Sequence, residues 1–355
     1  MVRARIQRKS DWVLSQVPCK GREDVIDFFQ STIWKNKDAG NLYSWKYEKN
    51  PKGITTTLFC KNGEGEIVAG AFFMPWKFAF DNKVITALQW VDMFVELSYR
   101  GQPIAAEMLK TYNSLNAEIC FAFPNTNGLA VHKKNNGLHL GCIMRYTKPL
   151  DFSYIVSRFI KNPFFAKAAS FLINACMKIV SPDTYLFLRD YSIVKADDIG
   201  EGYDIFWNKF KDKHRDVIFT DRNAAYMKWK YIDGPCKKRS VYFIKRGSRV
   251  EGFIVLEEKP EAGFIVDLAA ESAKALSHLI AYAVKHFRRL KKKSLSFIAL
   301  EKNLYFNRLK RFGFVERPDK THFYIYPKNS IKEIEGFSKP DKWFITIGDC
   351  DIDAL

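Results

Sequence analysis

The sequence predicts an α/β chain (α+β by its order of elements) made of two related halves in tandem. Three observations carry this. The chain is longer than one ordinary domain, a short phrase recurs with its surroundings in register, and the same succession of strand and helix patterns follows each copy. At 355 residues two domains are the better prior. A hydrophobic fraction of 47% leaves enough apolar residues for a core in each.

The recurring phrase is Trp45-Lys46-Tyr47 with Pro51, matched by Trp229-Lys230-Tyr231 with Pro235. Gly70, Val91-Asp92 and Gly137 find counterparts in Gly252, Val266-Asp267 and Gly313, in the same order. The offset falls from 184 to 176 residues because the first copy carries extra residues around Met74–Lys83, read as a longer hairpin. Matches in register over such a span indicate a duplicated unit.

In each copy the phrase precedes a β-hairpin: Thr55–Cys60 with Ile67–Phe73, and Ser240–Lys245 with Val250–Leu256. Asn62-Gly63 and Arg246-Gly247 supply the turns. A further strand follows (Ala87–Val95; Phe264–Leu268), then a helix. Pro103–Leu115 has proline in its first turn, where the missing N–H is not needed. Ser272–Leu290 spaces Leu276, Leu279, Ile280, Ala283, Val284 and Phe287 along one face. A strand (Glu118–Phe123; Ser294–Leu300), a short helix ending near Gly137 or Gly313, and a last strand complete each unit. The expected halves are 1–150 and 186–330, joined by a helical linker over 151–185 and followed by a tail over 331–355.

Composition narrows the partners. Lysine and arginine number 57 against 39 acidic residues, a net charge of +18, which favours nucleic acid, anionic headgroups or phosphorylated ligands. The cysteines (Cys19, Cys60, Cys120, Cys142, Cys176, Cys236, Cys350) form no CxxC pair and read as reduced thiols of a cytoplasmic protein. Met1–Ser10 is basic with no apolar run behind it, so no secretory signal is expected. Pro163–Val180 is the longest apolar stretch, too short and too charged for a confident span. With Arg158 and Lys161 it reads either as an interdomain helix packing its apolar face on a neighbour or as a basic amphipathic helix for peripheral membrane association over 158–180. There is no HExxH, GxSxG or Walker loop and no Cys/His cluster along the sequence, so no metal is expected.

The most specific segment is Trp90–Leu109. A strand runs through a polar turn with Arg100-Gly101 directly into a helix, whose unpaired first amides and dipole suit a pyrophosphate. The strand ending in Val95, followed by Arg100-Gly101-Gln102-Pro103-Ile104-Ala105, resembles the acyl-CoA loop of the GNAT superfamily of N-acetyltransferases. Pro103 stands where that family usually has glycine. Phe121–Asn125 and Leu129–Leu138 resemble the strand, asparagine turn and short helix that come next. With the paired WKY phrases, the chain from about Trp45 to Pro327 is similar to double-GNAT proteins associated with bacterial surface-polysaccharide assembly.

The resemblance implies tandem GNAT-like domains, each a mixed, mostly antiparallel sheet flanked by helices. It implies an acyl-CoA-dependent N-acyltransferase, with acetyl-CoA or another acyl-CoA as co-substrate. The cofactor contacts would be Phe94, Val95, Arg100, Gly101, Gln102, Ile104, Ala105 and Asn125. Asp92 is the candidate base for a protonated amine, and His132 the candidate acid. Trp45 and Tyr47 are candidate substrate contacts, although their repetition also fits a shared fold element. The second half lacks the loop: LAAESAKALSHL follows Asp267, so it is expected to wall the acceptor cleft. The acceptor would be a small-molecule or glycan amine, such as an amino sugar of a polysaccharide precursor. Two alternatives use the charge differently: a Fem-like transferase taking its aminoacyl group from tRNA, and a non-catalytic module binding nucleic acid or membrane. Asp349, Asp351 and Asp353 alternate and read as an acidic solvated tail.

Overall fold

The computed structural model describes residues 11–350 except 36–37, 236–237, 329–330 and 332–335. The first half runs β1 (Trp12–Pro18), α1 (Glu23–Thr32), α2 (Ala39–Tyr43), β2 (Thr56–Asn62), β3 (Ile67–Phe80), β4 (Lys83–Val95), α3 (Ile104–Thr111), β5 (Ile119–Ala122), α4 (Leu129–Lys134) and β6 (Leu138–Pro149). Helices α5 (Ser153–Phe159) and α6 (Pro163–Val180) follow. The second half runs β7 (Ser192–Ala196), α7 (Glu201–Lys213), β8 (Ile218–Thr220), α8 (Ala224–Met227), β9 (Arg239–Arg246), β10 (Arg249–Glu258), β11 (Ala262–Ala270), α9 (Ala273–Arg289), β12 (Ser294–Leu300), α10 (Phe306–Arg311), β13 (Val315–Pro327) and β14 (Trp343–Phe344).

Local chemistry explains the principal boundaries. Asp81 and Asn82 both take positive φ between Phe80 and Lys83. That is the requirement of a two-residue hairpin turn, and it closes the long β3–β4 hairpin anticipated around Met74–Lys83. Helix α9 begins where the Ser272 side chain accepts from the Ala275 amide at 3.0 Å, and its apolar stripe is buried against the sheet. Helix α3 is shorter than its sequence pattern. Pro103 is its N-cap, and after Thr111 the chain tightens into a 3₁₀ turn at Tyr112–Ser114.

Each WKY phrase forms a π-helical turn, Ser44–Glu48 and Lys228–Ile232. The two turns meet face to face. Trp45 Nε1 donates to the Trp229 carbonyl and Trp229 Nε1 donates to the Trp45 carbonyl, both at 2.8 Å. Their rings stack with centroids 5.2 Å apart. The repeated phrase therefore forms a reciprocal, approximately two-fold contact between the two segments.

The strands form one continuous sheet in the order β1-β2-β3-β4-β5-β13-β6-β12-β11-β10-β9-β7, with β8 and β14 beside it. Most pairs are antiparallel; β4/β5 and β11/β12 are parallel. The last strand of each half crosses over: β6 pairs with β12, and β13 pairs with β5 and β6. A single apolar core spans both halves. A second cluster lies on the opposite sheet face under α3, around Leu88, Trp90, Ile104 and Met108.

Both parallel pairs splay. β4 and β5 pair only over Ala87–Gln89 and Ile119–Phe121, after which β4 continues to Val95 with no strand on that side among the described residues. β11 and β12 part after Ile265 and Phe297. The second opening is filled by the chain itself, since Leu300 N donates to the Ile345 carbonyl at 2.9 Å and Ala299 bridges Thr346. The expectation of an acidic solvated tail fails at Asp349, which is buried and accepts from Arg222 Nη2 at 2.6 Å. Asp351 and Asp353 lie outside the described residues, as do Cys236 and Met1–Ser10.

Candidate functional site

The site is built around the free edge of β4. Opposite β3 the register passes from Phe72/Val91 to Gly70/Phe94, one residue too many on β4. Asp92 takes φ 49° there, which makes the extra residue a β-bulge and bends the strand away from β5. Tyr47 Oη and Lys46 Nζ, from the π-turn, both reach Asp92 Oδ2, the lysine at 3.0 Å. Asp267 occupies the matching place and accepts from Tyr231 Oη at 2.9 Å. An aspartate held by the WKY tyrosine is thus a feature of the shared architecture.

Below the bulge, β4 runs through a 3₁₀ turn at Leu97–Tyr99 into the loop and α3. Arg100 is exposed, and its Nε donates to the Val95 carbonyl at 3.1 Å. Gly101 takes φ 90°, a conformation glycine adopts without strain. Gln102 Oε1 accepts from Trp12 Nε1 at 2.6 Å, fixing the loop to β1. Among the described residues no side chain caps α3, and the amides of Ile104, Ala105 and Ala106, at the helix start, have no intrahelical acceptor. Ile104 is buried under the sheet and Ala105 half-buried. A loop with an exposed arginine over an uncapped helix start fits an anionic pyrophosphate. Phe94 and Val95 are half-buried at the lower end of the unpaired edge, Phe94 packing edge-on against Phe28. Trp90, higher on the same strand, keeps a buried indole N–H without an acceptor.

Asn125 follows β5 and is exposed; its Oδ1 accepts from the amides of Asn127 and Gly128 at 3.0 and 3.1 Å, shaping the turn into α4. His132 is buried on α4 with Nδ1 2.8 Å from Tyr326 Oη and its ring 5.2 Å from that of Trp90. Burial pushes its pKa down to about 4, so the imidazole is neutral near pH 7. Trp45 edges a surface cavity of about 450 Å³ with Lys49, Pro51, Lys228, Trp229 and Asp233. Tyr47 is fully buried and stacks on Phe72 at 3.9 Å.

One group was invisible along the chain. Strands β6 and β13 bring His139, Cys142 and His322 together with donor atoms within 4.8 Å of one another. His139 Nε2 lies 3.1 Å from His322 Nδ1, and Cys142 Sγ lies 3.5 Å from the same nitrogen. Residues three apart on a regular strand face opposite ways. A bulge beside Gly141, φ 137°, turns His139 and Cys142 to one side. His322 N also donates to the Pro124 carbonyl at the end of β5, which places the cluster next to the mouth between β4 and β5. Two imidazoles and a thiol are donors that suit a transition-metal ion such as zinc. Burial first, with the neighbouring His139 and Lys133 charges, holds the His322 pKa below its usual value, and an imidazole held neutral suits proton transfer. Only the pairing of exchanged strands could have revealed the group.

No family model matches the sequence, and no curated protein sequence matches it. Solved structures match its fold. A GCN5-related N-acetyltransferase from Anabaena variabilis ATCC 29413 superposes with a TM-score of 0.63 at 12% identity, over 91% of this chain and 74% of that one. A conserved protein from Enterococcus faecalis V583, described as a probable N-acyltransferase, gives 0.62 at 10% identity, over 89% and 72%. N-myristoyltransferase of Saccharomyces cerevisiae with bound myristoyl-CoA gives 0.54 at 12% identity, over 90% and 81%. The chain has the mixed α/β fold of the GCN5-related N-acetyltransferases.

Proposed function

We propose that the chain is an acyl-CoA-dependent N-acyltransferase, most simply an N-acetyltransferase. The carrying observation is an asymmetry. Among the described residues the half with the Arg100–Ala105 loop keeps an unpaired β4 edge, whereas in the corresponding opening of the other half the segment with Ile345 and Thr346 pairs with β12. Arg100 and the first amides of α3 would hold the pyrophosphate, and the edge at Phe94 and Val95 the pantetheine arm.

The acceptor amine must lose a proton before it attacks the thioester carbonyl. Asp92, on the bulged strand, is the base we assign. Once Asp92 has taken the ammonium proton, the amine nitrogen bonds to the carbonyl carbon, the C–S bond breaks, and the proton the nitrogen sheds as the amide forms goes to the departing sulfur, releasing CoA as its thiol. His132, neutral and bonded to Tyr326, positions the wall beside Trp90. The acceptor we favour is an amino sugar of a surface-polysaccharide precursor, whose phosphates would meet the +18 charge, in the cytoplasm near the inner membrane face. The same charge is what favours a Fem-like reading, and salt-sensitive binding of aminoacyl-tRNA without any need for CoA would replace our assignment.

Titration calorimetry with acetyl-CoA and longer acyl-CoAs tests the donor. Binding is expected with at least one of them and weakens about tenfold or more in Arg100→Ala, the loss of a charge-assisted pyrophosphate contact. Absence of binding to every acyl-CoA would sink the proposal.

A further inference from the structure

Helix α6 is built inside out for a protein surrounded by water. Of its residues only Ala166 and Ser170 are buried, and with Asn174 they form the stripe that faces the protein. Asn174 accepts from the Phe152 amide and donates to Asp151, both at 2.9 Å, so small and polar groups make the contact. The wide apolar face points away. Phe164, Phe171 and Leu172 are 76%, 73% and 62% exposed, and Phe165, Ile179 and Val180 are exposed beside them. Phe159 on α5 and Phe187 after α6 are exposed as well. The expectation of an interdomain helix packing its apolar face on a neighbour therefore fails. A surface helix normally turns its apolar stripe inward, and an exposed apolar area of this kind marks a docking surface.

The charges choose the occupant. From Phe152 to Pro182 there is no acidic residue, while Arg158, Lys161, Lys167 and Lys178 are basic. Lysines beside exposed aromatics can reach headgroup phosphates while their stems cover acyl chains. Met177 and Lys178 also line a cavity of about 410 Å³ together with Asp151 and Lys291, and with Arg288 and Lys292, which are paired with Asp183 and Glu258. Four like charges would repel across a symmetric contact between two copies of this hairpin, whereas an anionic bilayer attracts them.

We propose that the α5–α6 hairpin docks the protein peripherally on an anionic phospholipid bilayer. The helix lies in the interface with Phe164, Phe165, Phe171 and Leu172 at the acyl boundary. It does not span, because the Ala166–Ser170–Asn174 stripe remains on the protein. This inference is independent of the acyl-transfer reading.

Co-sedimentation of the full chain with phosphatidylcholine vesicles, with and without 30% phosphatidylglycerol, tests it. Binding is expected to be at least tenfold stronger with phosphatidylglycerol and to weaken with salt. The triple variant Phe164→Ser/Phe171→Ser/Leu172→Ser changes only exposed side chains, so its thermal unfolding stays the same while its vesicle affinity falls at least tenfold. Tryptophan introduced as Phe171→Trp should be quenched by brominated acyl chains. Three results would overturn the proposal: no binding to phosphatidylglycerol vesicles, equal binding by the triple variant, or a dimer in light scattering that the triple variant dissolves without any vesicle binding.

Discussion

His132 offers a quantitative check on the wall of the site. Its imidazole is buried against Trp90 and bonded to Tyr326, and burial lowers its pKa from 6.5 to about 4. A group with a lowered folded pKa contributes stability that is present above the unfolded value and lost as pH falls through the folded one. Below about pH 6.5 the unfolded chain takes up a proton that the folded chain refuses. At pH 4.5 the two binding polynomials differ by a factor of roughly 80, so about 2–3 kcal/mol of stability present near pH 7.5 is gone. Other groups titrate over the same range, so the useful quantity is the gap between wild type and His132→Gln, which keeps a hydrogen-bonding side chain but does not titrate. Urea unfolding at pH 7.5 and 4.5 measures the gap at each pH. The gap should move by about 2–3 kcal/mol in favour of the variant at the lower pH. A gap constant within about 0.5 kcal/mol would show that the imidazole is not desolvated as described.

Removing the cation that holds the C-terminal plug is the most disruptive change expected. Arg222→Met strands Asp267 and Asp349, both fully buried. The cost is about 3–5 kcal/mol, a fall in Tm of about 4–7 °C at this length, with faster proteolysis of residues 343–350 as a second readout. The reciprocal tryptophan bonds predict equal costs for Trp45→Phe and Trp229→Phe, about 1–3 kcal/mol each for the carbonyl left unpaired. Unequal costs in urea titrations would refute the two-fold geometry. Burial first and the Glu301 charge second raise the Cys142 pKa. Glu301→Gln should therefore shift Cys142 alkylation, followed by peptide mass spectrometry, to lower pH, and an unchanged profile would separate the two groups.

Local features were legible wherever residue type alone decides the outcome. Asn62-Gly63 announces a turn. The apolar spacing of α9 announces a buried face, and the repeated WKY phrase announces a shared element. What could not be read is pairing between distant strands. The exchange of β6 and β13 leaves no periodic trace, because a strand's alternation states which face is buried and not which neighbour lies beside it. The cluster of His139, Cys142 and His322 depends on that exchange and on a bulge. Asp349 misled for a related reason: an acidic residue near a chain end reads as solvated unless its buried partner, Arg222 more than a hundred positions earlier, is known. In α6 the pattern was visible but its direction was not, since an amphipathic helix does not say which face meets the protein.

The duplicated aspartates show why only one half keeps an opening. Asp92 and Asp267 hold equivalent places, each bonded by the tyrosine of its WKY turn. Around Asp267 the chain adds Arg222, Thr346 and Asp349, all buried, in one hydrogen-bonded network. Burying an arginine with two carboxylates is costly unless every member is satisfied, and the segment that supplies Thr346 and Asp349 is the one that fills the second opening. Plug and network therefore stand or fall together: withdrawing the segment would leave Arg222 with one carboxylate and re-expose the edges of β11 and β12. Around Asp92 the cation is Lys46, the bulge turns β4 outward, and the aspartate stays partly exposed. The equivalent position is thus a sealed structural joint in one half and the rim of an open cleft in the other.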